Sequence, residues 1–96
     1  MPIKPQHVRI HNEVEKLLKS NGIDKRNFYT DLVAFNKDRS KCVVILDNGR
    51  SPKQFLIAGL KTHNGLKWEP MRLDHLQNNY DAMDAIEKAS EFLESS

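Results

Sequence analysis

The stretch KCVVILDNGRSPKQFLIAGLKTHNGLKWEPMRL, residues 41–73, carries three runs of apolar, β-branched or aromatic residues. Two turn clusters separate them, Asp47-Asn48-Gly49-Arg50-Ser51-Pro52 and Thr62-His63-Asn64-Gly65. Asp, Asn and Gly tolerate the positive φ that tight turns need, while Pro lacks a ladder donor, so each cluster ends a strand. The pattern is that of an antiparallel meander. Residues 41–47 read as a strand because Val43, Val44 and Ile45 suit a pleated, half-buried surface. Residues 54–60 follow as a strand, in which Gly59 marks a bulge or a close backbone approach. Residues 66–69 alternate, with Leu66 and Trp68 to one side and Lys67 and Glu69 to the other. Pro70 makes this an edge strand or ends it.

Outward from the meander, residues 6–21 read as a helix. Ile10, Val14, Leu17 and Leu18 recur at helical spacing, Pro5 suits the first turn, and Asn21-Gly22-Ile23 is a stop signal. Residues 27–36 have two readings. Asp24 can cap a helix with Phe28, Leu32 and Phe35 on one face, or Tyr29, Val33 and Phe35 can share the face of a strand. The polar turn Lys37-Asp38-Arg39-Ser40 before the next β-run favours the strand. Asp74 to Asn79 reads as a connector. A last helix from about Asp81 to Glu94 sets Met83, Ile86, Ser90 and Leu93 on one stripe beside Ala82, Ala85 and Ala89, with Glu87, Glu91 and Glu94 outward. The expectation is one α+β domain over residues 1–96, αββββα, with a four-stranded antiparallel meander and the two terminal helices covering one face of it.

The two central strands are apolar on both sides: Val43 and Ile45 oppose Cys42, Val44 and Leu46, and Phe55 and Ile57 oppose Leu56 and Leu60. A sheet with one wet face alternates more cleanly. Either helices or a curled sheet cover both faces, or the second face, with Val44, Leu46, Leu56 and Leu60, meets another subunit or domain.

Ninety-six residues, 39% hydrophobic and 29% charged, make one domain of ordinary globular composition. No apolar run reaches the length of a membrane span, and Met1-Pro2-Ile3-Lys4-Pro5 lacks the apolar core of a secretory signal. A single cysteine, Cys42, forms no internal disulfide, which fits a reducing cytoplasm. A net charge of +2 is modest for a dedicated non-specific nucleic-acid binder. Its distribution is uneven. Residues 41–73 carry Lys41, Arg50, Lys53, Lys61, Lys67 and Arg72 against Asp47 and Glu69, whereas residues 74–96 carry Asp74, Asp81, Asp84, Glu87, Glu91 and Glu94 against Lys88. That split permits an anionic partner at the sheet or a charge-complementary self-contact.

No catalytic constellation emerges, and no cofactor is implied. His7, His11 and Glu15 follow one another at four-residue steps on the first helix, a spacing able to hold a metal, but Val8 stands where a zincin has its general base. A solvated polar face explains the same residues, so a metal-dependent hydrolase ranks last. His63 and His75 lie in or beside turns with no nucleophile to serve. Cys42 lies in a core strand, where thiols are inert. The strands CVVILD and QFLIAGLK lack the acid-x-Lys triplet of strand-borne nucleases, and the four glycines are scattered. The sequence leans away from an enzyme. For nucleic acid, Arg50 and Lys53 on one turn and Lys61, His63 and Lys67 around the next suit phosphate contacts. Tyr29 or Trp68 would stack on bases if exposed, but the alternation around Trp68 assigns it to the core.

The run ILDNGRSPKQFLI resembles the hairpin, LDD-N-[NR]-[KR]-P followed by an apolar strand, of the small C-terminal module of predicted type IV restriction endonucleases. NGLKWEPMRLDHLQNNYDAMDAI is similar to that module's short strand, connector and tyrosine-bearing last helix. Asp47, Asn48, Arg50 and Pro52 carry the first half and Leu73, Asp74, Tyr80 and Asp81 the second, over residues 41–93 or so. The catalytic domain of such enzymes lies elsewhere in their chains, so no catalytic residue carries over. The resemblance implies a bacterial or phage setting and an accessory binding role. The leading expectation is a non-enzymatic module that assembles with protein and touches nucleic acid through the 50–53 and 61–67 turns. The alternative is a homodimer built on the second sheet face.

Overall fold

Helix α1 (Pro5–Ser20) places Ile10, Val14 and Leu18 on one buried stripe, as their spacing requires. It ends as its sequence dictates. Gly22 takes a φ of 73°, its N–H donates to the Lys19 carbonyl (3.0 Å), and the Ile23 N–H reaches back to the Leu18 carbonyl (2.9 Å). These are the two hydrogen bonds of a Schellman cap, and Ile23, like Leu17, packs against the core. The computed structural model describes residues 5–64, 67–77 and 82–95. Gly65, Leu66, Asn78, Asn79, Tyr80 and Asp81, to which the sequence assigns roles, lie outside the described residues.

Asp24 caps a single 3-10 turn (Lys25–Asn27) and not a second helix. Its carboxylate accepts the Arg26 guanidinium (2.8 Å) and the Arg26 backbone N–H (2.9 Å), which together hold the carboxyl down at about 2. Four strands follow: β1 (Tyr29–Phe35), β2 (Lys41–Asp47), β3 (Gln54–Thr62) and β4 (Trp68–Gln77). They form one antiparallel sheet in the order β1-β2-β3-β4, closed by α2 (Ala82–Glu94). The architecture is α+β, αββββα.

The two helices lie on opposite faces, which corrects the expectation that both would cover one face and bears out the alternative of helices on both. Under α1 lie Cys42, Val44, Leu46, Leu56, Ala58, Leu60 and Trp68; under α2 lie Val43, Ile45, Phe55, Ile57 and Leu76. This accounts for the strands that are apolar on both sides: successive side chains point to opposite faces, and each face has its own helix. Val44, Leu46, Leu56 and Leu60 are therefore buried beneath α1. The open sheet face proposed for a partner is already occupied within the chain.

Three further differences have local causes. β4 continues through Pro70 to Gln77, absorbing the start of the expected connector. It is an edge strand, where a residue without an N–H is tolerated, and Leu73 and Leu76, three apart, each fill one face. In β1, a register shift between Thr30 and Leu32 puts Asp31 in a bulge. Val33 and Phe35 consequently face α1, while Tyr29, paired with Asp47, faces the α2 side. On α2, Ala85, Ala89 and Phe92 meet the sheet, and the expected stripe turns sideways, leaving Met83 and Ile86 exposed. Gly59 is both a bulge and a close approach. The register shifts at Gly59/Leu60, and the Phe92 ring lies where a side chain would begin.

Candidate nucleic-acid interface

The five basic-turn residues do not form one surface. In a meander, successive turns lie at opposite ends of the sheet, so Arg50 and Lys53 are separated from His63 and Lys67 by the length of β3. Nine residues at about 3.3 Å each span roughly 30 Å. At the first end, Asp47 and Asn48 spend their side-chain oxygens on the turn itself: Asp47 Oδ1 accepts the Gly49 N–H (2.8 Å) and Asn48 Oδ1 the Arg50 N–H (3.0 Å). The Lys53 ammonium stands 3.8 Å from the Asp47 carboxylate. Tyr29 leans over Gly49 and is exposed, which places an aromatic ring beside this turn.

At the opposite end, Lys61 pairs with Lys41 on one side and Glu69 on the other. The Lys41 ammonium is committed to the C-terminus of α2, donating to the Phe92 carbonyl (3.4 Å), the Ser95 carbonyl and Ser95 Oγ (3.1 Å). A cation there satisfies the helix's last carbonyls and opposes its dipole. His63 is exposed, and the Lys67 N–H donates to Asn64 Oδ1 (3.1 Å).

Lys67 has company that the turn alone does not reveal. A cleft of about 490 Å³ runs between α1 and the start of β4. Arg9, Lys16 and Lys19 line it from α1 and Lys67 from the sheet, with Trp68 also in its wall. Steps of seven and three residues put the three α1 cations on one flank. Two carboxylates share the cleft: Glu15 is drawn to Lys25, outside its lining (3.1 Å), and Glu13 pairs with Lys16 (3.2 Å), offsetting one of the four cations. Positive charge is in excess, and all four cations are solvent-exposed. The signal for Arg9, Lys16 and Lys19 was present in the helical spacing of basic residues; what hid it was reading the polar side of α1 only as solvated.

Trp68 is 2% exposed, and its ring lies 5.9 Å from that of Phe35 at 58°. It is core, not a stacking platform. Its indole N–H has no hydrogen-bond partner among the described residues.

Of the metal candidates, two side chains are described, four residues apart on α1. His11 and Glu15 are exposed on α1, with Glu15 held by Lys25, and the His7 side chain lies outside the described residues. Among the described residues, no three His, Cys, Asp or Glu side chains are grouped to hold a metal. Nor is any helix among them long and apolar enough to cross a membrane.

Cys42 is fully buried, and burial pushes its thiol up to about 12. The folded state thus keeps a proton that the unfolded chain releases near pH 9. The contribution to stability is whole below pH 9 and is lost progressively as pH rises toward 12. At pH 8, Ellman's reagent is expected to leave the folded protein unmodified and to titrate one thiol in denaturant; prompt reaction of the folded protein would contradict the burial.

No family model, curated protein or solved structure matches this chain.

Proposed function

We propose that the domain is an accessory binding module that holds a nucleic-acid backbone along the α1–β4 flank. The observation that carries this reading is the row Arg9, Lys16 and Lys19 facing Lys67 across one cleft. Arg9 and Lys19 are ten residues apart, about 15 Å along a helix rising 1.5 Å per residue. A row of that length suits a polymer of phosphates better than a single anion, and cations that meet phosphates give affinity without reading sequence. The resemblance of residues 41–93 to the accessory module of predicted type IV restriction endonucleases supports the accessory role, though α1 lies outside it, and suggests a bacterial or phage setting. In this reading the β2–β3 turn, with Arg50 and Lys53, is a separate and weaker contact.

The test is anisotropy of labelled single-stranded and duplex DNA across a salt series. The expected result is binding that weakens as salt rises, and a Lys19→Glu/Lys67→Glu variant at least roughly tenfold weaker at low salt, with a shallower salt slope. The Arg50→Glu/Lys53→Glu variant, altered at the far end of the sheet, should lose less. Salt-independent retention, no binding at all, or equal losses in the two variants would overturn the assignment.

A further inference from the structure

Six large apolar side chains stand exposed among the described residues, and four of them belong to one side of the molecule: Tyr29 (68%), Leu32 (39%), Met83 (70%) and Ile86 (44%). Tyr29 and Leu32 pair with Asp47 and Ile45 and so lie on the α2 face of β1. On α2, Ser90 and Leu93 form a groove with Phe35, Asn36 and Lys37, which establishes that this flank of the helix looks toward β1. Ile86 and Met83 continue that flank by one and two helical turns.

Strand β1 is also an open edge. It pairs with β2 alone, so every second backbone N–H and C=O along it points outward, and its first four residues are exposed. Such an edge, with apolar side chains beside it, accepts a further strand. The charges along it select which one. Asp31 stands in the bulge and Lys37 just past the strand, and neither makes an ion pair among the described residues. They lie three residues to either side of Ala34. An acid and a base equidistant from one residue are self-complementary across a two-fold axis through it, the arrangement of an isologous interface. A foreign strand has no need of that symmetry.

We propose that β1 pairs antiparallel with β1 of a second copy, about an axis at Ala34, joining two four-stranded sheets into one. In this register Asp31 faces Lys37 of the second copy, Val33 faces Phe35, and the Leu32, Met83 and Ile86 side chains of both copies converge on the α2 side. The charged bulge then has two effects. It discourages pairing with uncharged strands and favours this one. The proposal is independent of the anion-binding flank, which lies on the other edge of the sheet.

The test is sedimentation velocity over a concentration series. The wild type is expected to sediment as a dimer. Asp31→Lys and Lys37→Asp, each setting like charges opposite one another, should weaken self-association by roughly tenfold or more, and the Asp31→Lys/Lys37→Asp double variant should restore it. Both positions are exposed, so the single variants should keep the wild-type circular dichroism. As a readout without substitution, hydrogen exchange of the β1 amides should slow with rising concentration in the wild type. A monomer at high concentration, a dimer indifferent to both single swaps, no recovery in the double swap, or β1 exchange independent of concentration would each overturn the proposal.

Discussion

Replacing Trp68 with alanine is expected to destabilise the domain by about 3–5 kcal/mol, the range for removing a large aromatic from a packed core. The indole sits at the end of the α1-side core, with Ile10, Val14, Leu18 and Leu60 in the same cluster and the Phe35 ring tilted against it. Against a total stability of about 5–15 kcal/mol for a small domain, that loss takes a fifth or more. Trp68→Phe should lose much less. It keeps most of the ring contact and removes an indole N–H that finds no partner among the described residues, a buried donor that costs roughly 1–3 kcal/mol when unsatisfied. Urea unfolding followed by circular dichroism ranks the two variants. Equal losses would mean that the ring's packing is not what Trp68 supplies, and a neutral alanine variant would contradict its place beneath α1.

The second large effect is expected at Gly59. A Cβ there would lie 2.8, 2.9 and 3.0 Å from three atoms of the Phe92 ring. The ring has little freedom to withdraw. Lys41 holds the α2 terminus through the Phe92 and Ser95 carbonyls, and the Lys41 ammonium and Arg72 guanidinium stand 5.5 and 6.0 Å from the ring centroid. Gly59→Ala should therefore cost about 1–3 kcal/mol through overpacking. In a Phe92→Leu background the same substitution should cost less, giving a coupling of about 0.5–3 kcal/mol in the double-mutant cycle. Additive losses would mean that α2 does not seat Phe92 over β3. The cycle thus tests the placement of α2 on its own face of the sheet, independently of the core around Trp68.

The candidate interface was only half legible before the fold was known. Lys67 is conspicuous beside a turn, and the cations of α1 are ordinary surface residues until α1 is laid against the start of β4. Conversely, Arg50 and Lys53 look like neighbours of Lys61 and Lys67 in a charge count, yet an antiparallel strand between them carries the two turns to opposite ends. The exposed stripe of α2 shows the same limit. Met83, Ile86, Ser90 and Leu93 have helical periodicity, but Ala85 and Ala89 permit closer approach and Phe92 fits the gap over Gly59, so the small residues and the ring take the sheet side.

What the chain encodes locally is read without the fold. The meander follows from turn residues between β-branched runs. The end of α1 follows from Asn21-Gly22-Ile23, where one residue able to adopt positive φ and one apolar residue suffice. Cys42 belongs inside because it sits in a run that is apolar on both sides, and Trp68 by its alternation with Lys67 and Glu69. These features depend on neighbours a few residues apart, so composition and spacing specify them. The assignment of α1 and α2 to opposite faces, the bulge that turns Tyr29 away from Val33 and Phe35, and the meeting of Arg9, Lys16 and Lys19 with Lys67 depend on contacts between distant segments. Each results from packing whole surfaces against one another, in which volume, bulge geometry and helix position are settled together, and no short stretch of the sequence carries that information.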